Sequence, residues 1–420
     1  MKFSDFKQSG HWPTLLGAFL YFDISFMAWV ALGPVMIYIA TAMHISVEEK
    51  LTLVAIPVLS GAILRVPLGL LADTIGSKLT GTIAQIVVMI ATAYVWWFGL
   101  GNPTEVAIFG AILGLGGASF SVALPQAGRW YPPNQQGLVM GIAGAGNMGV
   151  VLDTLFAPTI AEKFGWQGVF GALLIPMVLI LIYYVIAVKD APGAIKRIAM
   201  ADYGKLLLDS DSRWFMFFYF ITFGGFVGLA SALPLYFTSN FHTTPVAAGL
   251  MVSLIVFFGS TFRPIGGGIA DRIGGIKSLS VLFTIVSICY FTISFFPEGP
   301  AAPAGSTGYM LSNLPTQGWL AVAVFSVGTL CLGMGNGAVF QLLPQRFRKE
   351  IGVMTGLVGF AGGLGGFFLA KTMATSKGMT GGFSAGFIFF GLLALLGLIG
   401  LSLVKNRWRT TWGAASGARI

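Results

Sequence analysis

Apolar runs long enough to cross a lipid bilayer recur along the chain, each closed by a short stretch of Gly, Pro and charged residues. A membrane-spanning helix takes about 20 apolar residues, because each residue advances about 1.5 Å through a hydrocarbon core about 30 Å thick. On that measure the pattern predicts twelve helices, near residues 14–40, 50–72, 79–99, 105–128, 137–161, 167–188, 213–239, 245–270, 278–297, 317–343, 352–375 and 382–404. The longest weakly hydrophobic stretch follows the sixth, from Lys189 to Arg213, and holds Asp190, Lys196, Arg197, Asp202 and Asp209. It divides the sequence into an N-terminal six-helix bundle (1–188), a cytoplasmic linker (189–212) and a C-terminal six-helix bundle (213–420).

Composition fits an all-α integral membrane protein and excludes a water-soluble enzyme, since 56% of the 420 residues are hydrophobic and only 9% charged. A net charge of +9 raises nucleic acid or anionic lipid as partners, and the distribution of the bases decides between them. With both termini cytoplasmic, 18 of the 24 Lys and Arg fall in inside segments, against four outside, Lys50, Lys163, Lys371 and Lys377. That bias is the positive-inside rule of a multi-pass protein, here of a bacterial inner membrane, and it explains the basicity without nucleic acid. The first apolar stretch is long and lacks a small-residue cleavage site, so it is expected to remain as a helix. Cys289 and Cys331 sit in apolar runs and read as buried small hydrophobes rather than a disulfide. His11, His44 and His242 fall at span ends, far apart, and no GxxxxGK[ST] loop occurs, so neither metal, nucleotide nor other cofactor is expected.

The two halves resemble each other. Arg65-Val-Pro-Leu-Gly69-Leu-Leu-Ala72-Asp73-Thr-Ile75-Gly76 matches Arg263-Pro-Ile-Gly-Gly267-Gly-Ile-Ala270-Asp271-Arg-Ile273-Gly274 at a constant offset of 198. Gly114-Leu-Gly116 through Leu124-Pro125-Gln126 matches Gly333-Met-Gly335 through Leu343-Pro344-Gln345 at offset 219, and the Pro/Gly/Ser-rich loop Pro297 to Gly318 supplies the 21-residue difference. Parallel six-helix repeats around a midplane site are the plan of the major facilitator fold. The segment Gly69 to Lys78 also resembles that superfamily's loop between helices two and three, and Gly267 to Gly274 looks like its copy between helices eight and nine. An acid ends one helix, a glycine turns, and a base opens the next.

Arg65 lies eight residues before Asp73 and Arg263 eight before Asp271, which puts each guanidinium roughly 12 Å inside its helix end, near mid-membrane. An Arg at that depth costs about 2.5–3.5 kcal/mol even on lenient scales. Either one alone could snorkel or pair with a buried carboxylate. Two at equivalent places in a repeat point instead at a small-anion site on the pseudo-twofold axis, because the planar fork matches a planar oxyanion.

At this point the residues resemble the nitrate/nitrite porter family over nearly the whole chain. Ala143-Gly144-Ala-Gly-Asn147-Met-Gly149-Val in helix five and Gly359-Phe-Ala-Gly362-Gly363-Leu-Gly365-Gly366-Phe in helix eleven look like its two nitrate motifs. Tyr219-Phe-Ile-Thr-Phe223-Gly-Gly-Phe-Val-Gly228 is similar to the stretch where the family places an anion-binding Tyr and a packing Phe. The resemblance implies that Arg65 and Arg263 clamp the anion, that Tyr219 and Asn147 donate to it, that Phe120 and Phe223 sandwich it, and that Gly144 and Gly363 line it. On the residues alone, the glycines serve equally as close helix contacts and hinges, and either Phe could be core. The implied protein is a monomeric secondary transporter whose partners are nitrate or nitrite, protons and the bilayer.

Two acids lie inside apolar spans, Asp23 in helix one and Asp153 in helix five. Either carries the proton of a proton-coupled nitrate importer, or both neutralise the arginines of an empty site. A site with two fixed positive charges and no titratable group reorients poorly when empty, which favours nitrate/nitrite exchange. A carrier of formate, oxalate or another small organic anion, and an anion sensor that keeps the fold without turnover, remain open readings of the same residues. No nucleophile, base and orienting acid share one depth, so an enzyme is not expected.

Overall fold

The computed structural model of the chain describes residues 9–131, 136–191, 200–302, 306–347 and 350–416. Lys2, Lys7, Lys196, Arg197, Arg348, Lys349 and Arg419 lie outside them. Eleven described helices are long and apolar enough to cross a membrane, but one, Ile142–Ala187, has 46 residues and would run about 69 Å if straight. It turns at Gly165, where φ is 75° and ψ 162°, and so makes two crossings. Twelve spans result: α1 Trp12–Met43, α2 Val47–Ile75, α3 Ser77–Phe98, α4 Pro103–Gly128, α5 (136–164), α6 (166–187), α7 Ser210–Asn240, α8 Pro245–Ile273, α9 Gly275–Ser294, α10 Thr316–Arg346, α11 Ile351–Thr380 and α12 Ser384–Thr410. An even number of crossings returns the chain to the face from which it started. Side chains such as Ile90, Trp97, Ile186 and Leu403 stay exposed on the outside of the bundle, as a lipid-facing surface requires.

Local chemistry sets the helix ends. Ser46 accepts from the Glu49 amide at 3.2 Å, Asn102 from Glu105 at 3.0 Å, and Thr244 from Ala247 at 3.2 Å, each satisfying an amide that has no partner within the helix. Asp209 accepts from Asp211 and Ser212, both at 2.9 Å, and so starts α7 at Ser210, ahead of the predicted 213. All three histidines lie at span ends: His11 caps α1, while His44 and His242 take left-handed turns. The long loop after α9 is pinned to the α7–α8 turn, where the Tyr309 amide donates to the His242 carbonyl at 2.8 Å.

The repeat is present in the backbone. Gly76 and Gly274, equivalent at offset 198, adopt nearly the same conformation, φ 97° and ψ 145° against φ 94° and ψ 140°. That region disfavours a side chain, which explains why glycine stands at both turns. Asp73 is ion-paired with Arg129 beyond α4, and the Lys78 amide donates to Asp190 at 3.0 Å. The second copy's Asp271 is exposed.

Two broad seams join the halves, α2 on α11 and α5 on α8, and α7 also packs on α1 and α2. Along the first, a Cβ at Gly363 would fall 2.5 Å from Ala62 Cβ and one at Gly366 would fall 2.9 Å from Val58 Cγ1. Along the second, Ser253 donates to the Val151 carbonyl and Ser260 to the Asn147 carbonyl, each at 3.3 Å. Small residues on both seams let the backbones come this close.

Candidate functional site

Helices α4, α5 and α8 lose regularity beside residues singled out in the sequence. α4 breaks at Ser119, just before Phe120, after the Gly116-Gly117 pair. α8 breaks at Phe262, just before Arg263, where Pro264 cannot supply a helical amide. α5 tightens into a 3₁₀ turn at Ala145–Met148, which contains Asn147. Interrupted membrane helices are where carriers of this architecture place their substrate groups.

Arg65, on α2, is fully buried. Its Nε donates to the Gly117 carbonyl beside the α4 break at 3.1 Å, and its Nη1 donates to the Gly359 carbonyl of α11, across the seam. Its Nη2 is buried with no partner. Arg263 donates from Nη2 to the Tyr219 hydroxyl at 3.4 Å, and its Nη1 is likewise buried and unpartnered. Neither forms an ion pair with a carboxylate among the described residues.

Aromatic rings bridge the two guanidinium groups by two routes. The Arg65 Cζ lies 5.0 Å from the Phe223 ring, which stacks on Tyr219 at 5.0 Å and 6°, and Tyr219 in turn holds Arg263. On the other route Arg65 lies 5.3 Å over Phe120, Phe120 meets Phe340 edge-on at 6.2 Å, and Phe340 lies 5.5 Å from the Arg263 Cζ. Ring faces are electron-rich, so these contacts partly offset the removal of each cation from water without neutralising it. The result is two permanent charges inside a low-dielectric aromatic box, each with a free donor.

The structure thus brings together Arg65, Arg263, Tyr219, Phe120 and Phe223. Gly144 adjoins them, since a Cβ there would lie 4.0 Å from the Arg263 Cζ. Gly363 does not, for it faces Ala62 one turn along the seam; Gly359, beside Arg65 and Phe120, and Gly362, beside Tyr219 and Phe223, are the α11 glycines at the box. Asn147 is buried with an unpartnered Oδ1, while its backbone carbonyl takes Ser260. Asp23 backs onto the α5 glycines, with its amide nitrogen 2.9 Å from where a Gly146 Cβ would be, and Asp153 is buried on α5. Each acid has one buried oxygen without a partner.

Phe340 was not among the expected residues. The offset-219 repeat aligns it with Ser121, one position past Phe120, so the signal lay in the register. Lys371, assigned to an outer segment from the sequence, lies inside α11 and reaches across to α2, where its Nζ donates to Thr52 Oγ1 at 3.1 Å. An apolar groove of about 920 Å³ lies away from the box, between α3 and the α5–α6 corner, lined by Trp96, Phe164 and Gly171.

The model of the Major Facilitator Superfamily matches residues 17–370, and the chain belongs to that superfamily. Within it, the chain is 32% identical over 376 residues to the nitrite extrusion protein of Bacillus subtilis, covering 89% of each chain. It is 34% identical over 390 residues to the "Probable nitrate transporter NarT" of Staphylococcus carnosus, covering 91% of this chain and 94% of that one. Relatives this similar over this length place it in the nitrate/nitrite porter family. Among solved structures, a D-xylose-proton symporter superposes with a TM-score of 0.69 over 93% of this chain and 96% of that one, at 16% identity, a likeness of fold alone.

Proposed function

We propose that the chain carries nitrate, nitrite or both across a bacterial inner membrane by alternating access, with both termini cytoplasmic. One observation carries this reading: two guanidinium groups from equivalent helices of the two halves, Arg65 fully buried and Arg263 half-buried, share an aromatic box and pair with no carboxylate among the described residues. Such a box attracts one small anion, and the free Nη2 of Arg65 and Nη1 of Arg263 are donors for its oxygens. The faces of Phe120 and Phe223 suit a planar ion, while Tyr219 and Asn147 supply further donors. The family relatives named for nitrate and nitrite support the same substrates.

Coupling takes one of two forms. Asp23 or Asp153 carries a proton with the anion in proton-coupled uptake. The arginines' freedom from carboxylate partners favours the other form, exchange of one anion for another, because an empty site with two positive charges crosses the midplane poorly. Uptake of labelled nitrate into proteoliposomes, with an inward proton gradient or with internal nitrite, separates them. Arg65→Lys and Arg263→Lys keep the charge and lose the fork, so flux is expected to fall by about tenfold or more in each. Wild-type rates in both variants, or no nitrate flux under any gradient, would sink the anion-clamp reading.

A further inference from the structure

The seam between α2 and α11 runs outward from the arginine box as a ladder of cross-half contacts. It begins at Arg65 and Gly359, passes Ala62 and Gly363, then Val58 and Gly366, and reaches Thr52 and Lys371. The first three rungs are tight and involve a glycine. The fourth is different in kind. Lys371 and Lys377 are the only charged residues of α11, and Lys377 sits in its last turn. Lys371 is half-buried, donates to a neutral hydroxyl and forms no ion pair among the described residues. Twelve residues beyond Gly359, it lies about 18 Å from the box, at the outer edge of the hydrocarbon core on the face opposite the chain termini.

An ammonium left without a carboxylate at an apolar seam is costly unless it serves a second state. Resting on the alternating-access reading above, we infer that Lys371 is the mouth cation of the anion path on the face opposite the termini. While that face is closed, Thr52 holds it across the seam. When α2 and α11 part there, the hydrogen bond breaks and the ammonium lines the opened cleft, where a fixed positive charge between low-dielectric walls concentrates anions on their way to Arg65 and Arg263. The terminal face has its own route to the box, along which Lys371 does not lie.

Charge and latch are separable by substitution. Lys371→Gln keeps a donor for Thr52 and removes the charge; Thr52→Val removes the acceptor and keeps it. Nitrate exchange is measured in proteoliposomes of fixed orientation, varying the anion on one face while the other is saturated, at low and high ionic strength. For Lys371→Gln, the half-saturating concentration on the face opposite the termini is expected to rise by about threefold at low salt and to converge on the parent above about 0.1 M, where screening acts within about 10 Å. The terminal-face value and the maximal rate should stay within twofold, Lys371→Arg should restore the parent value, and Thr52→Val should cause no rise. An unchanged half-saturation on that face, or an equal rise on both faces, overturns the inference. A parent chain without nitrate flux fails at the transport reading itself, a result distinct from either. Melting temperatures of the detergent-solubilised variants guard against a fold defect, and the rescue by Arg keeps the test decisive if Gln misfolds.

Discussion

Asp153 and Arg65 are both fully enclosed, yet their surroundings make opposite use of charge. Arg65 has two backbone carbonyls and three ring faces about it, from Trp29, Phe120 and Phe223, so its cation is held at a fixed place. Asp153 has one oxygen with no partner and no base in ion-pair contact, and a buried carboxylate so placed is expensive to keep. A residue kept at such cost is a candidate for proton traffic, whereas one that merely neutralised an arginine would be paired with it. Asp153→Asn preserves shape and removes the charge, so the melting temperature should stay within about 2 °C of the parent, a stability change of roughly 0.5–1 kcal/mol. If the protein is proton-coupled through Asp153, acidification of the lumen during nitrate uptake disappears in that variant and persists in Asp23→Asn. Acidification that survives in both variants removes the two acids from the coupling step.

At the scale of elements, α11 shows how little a motif reveals of its geometry. Its glycines read alike in the sequence, but a Cβ at Gly363 would meet Ala62 Cβ at 2.5 Å and Cα at 3.0 Å, whereas one at Gly359 would meet Arg65 and Phe120 at 3.4 Å. Ala62 is short and part of its contact is backbone, so Gly363→Ala must push α2 from α11 and should cost about 1–3 kcal/mol, read as a lower melting temperature. Gly359→Ala should leave melting unchanged and raise the half-saturating nitrate concentration, because it crowds the Arg65 guanidinium. Equal effects on melting in the two variants would contradict this division of roles. The same contrast marks what was legible beforehand. Span number, the repeat, the turn glycines Gly76 and Gly274 and the two mid-membrane arginines all follow from hydrophobic runs and local matches. Phe340, Gly359 and the reach of Lys371 do not, because helix rotation and the facing of α2 to α11 are tertiary facts that apolar runs on all sides of a buried helix do not encode. The α5–α6 corner was legible too, for the two predicted spans are two helices that turn at Gly165.

For the whole molecule, the hydrogen bonds that join the halves among the described residues fall at the depth of the arginine box or on the far side of it from the chain termini. Those bonds tie both seams together on that side, and alternating access requires both seams to open there. The Val58–Gly366 rung lies on the α2–α11 seam, between the box and Lys371, with a Cβ at Gly366 only 2.9 Å from Val58 Cγ1, so the two Cβ atoms are at most about 4.4 Å apart, within the roughly 3.5–4.5 Å that a disulfide spans. Val58→Cys with Gly366→Cys, in a background carrying Cys289→Ser and Cys331→Ser, should form that bond on oxidation. Oxidised protein should lose nitrate flux in both directions and regain it with a reductant. Flux that continued through a fully oxidised seam would show that α2 and α11 do not separate, and the two halves would then have to admit the anion by a path that leaves Arg65 bridged to Gly359 throughout.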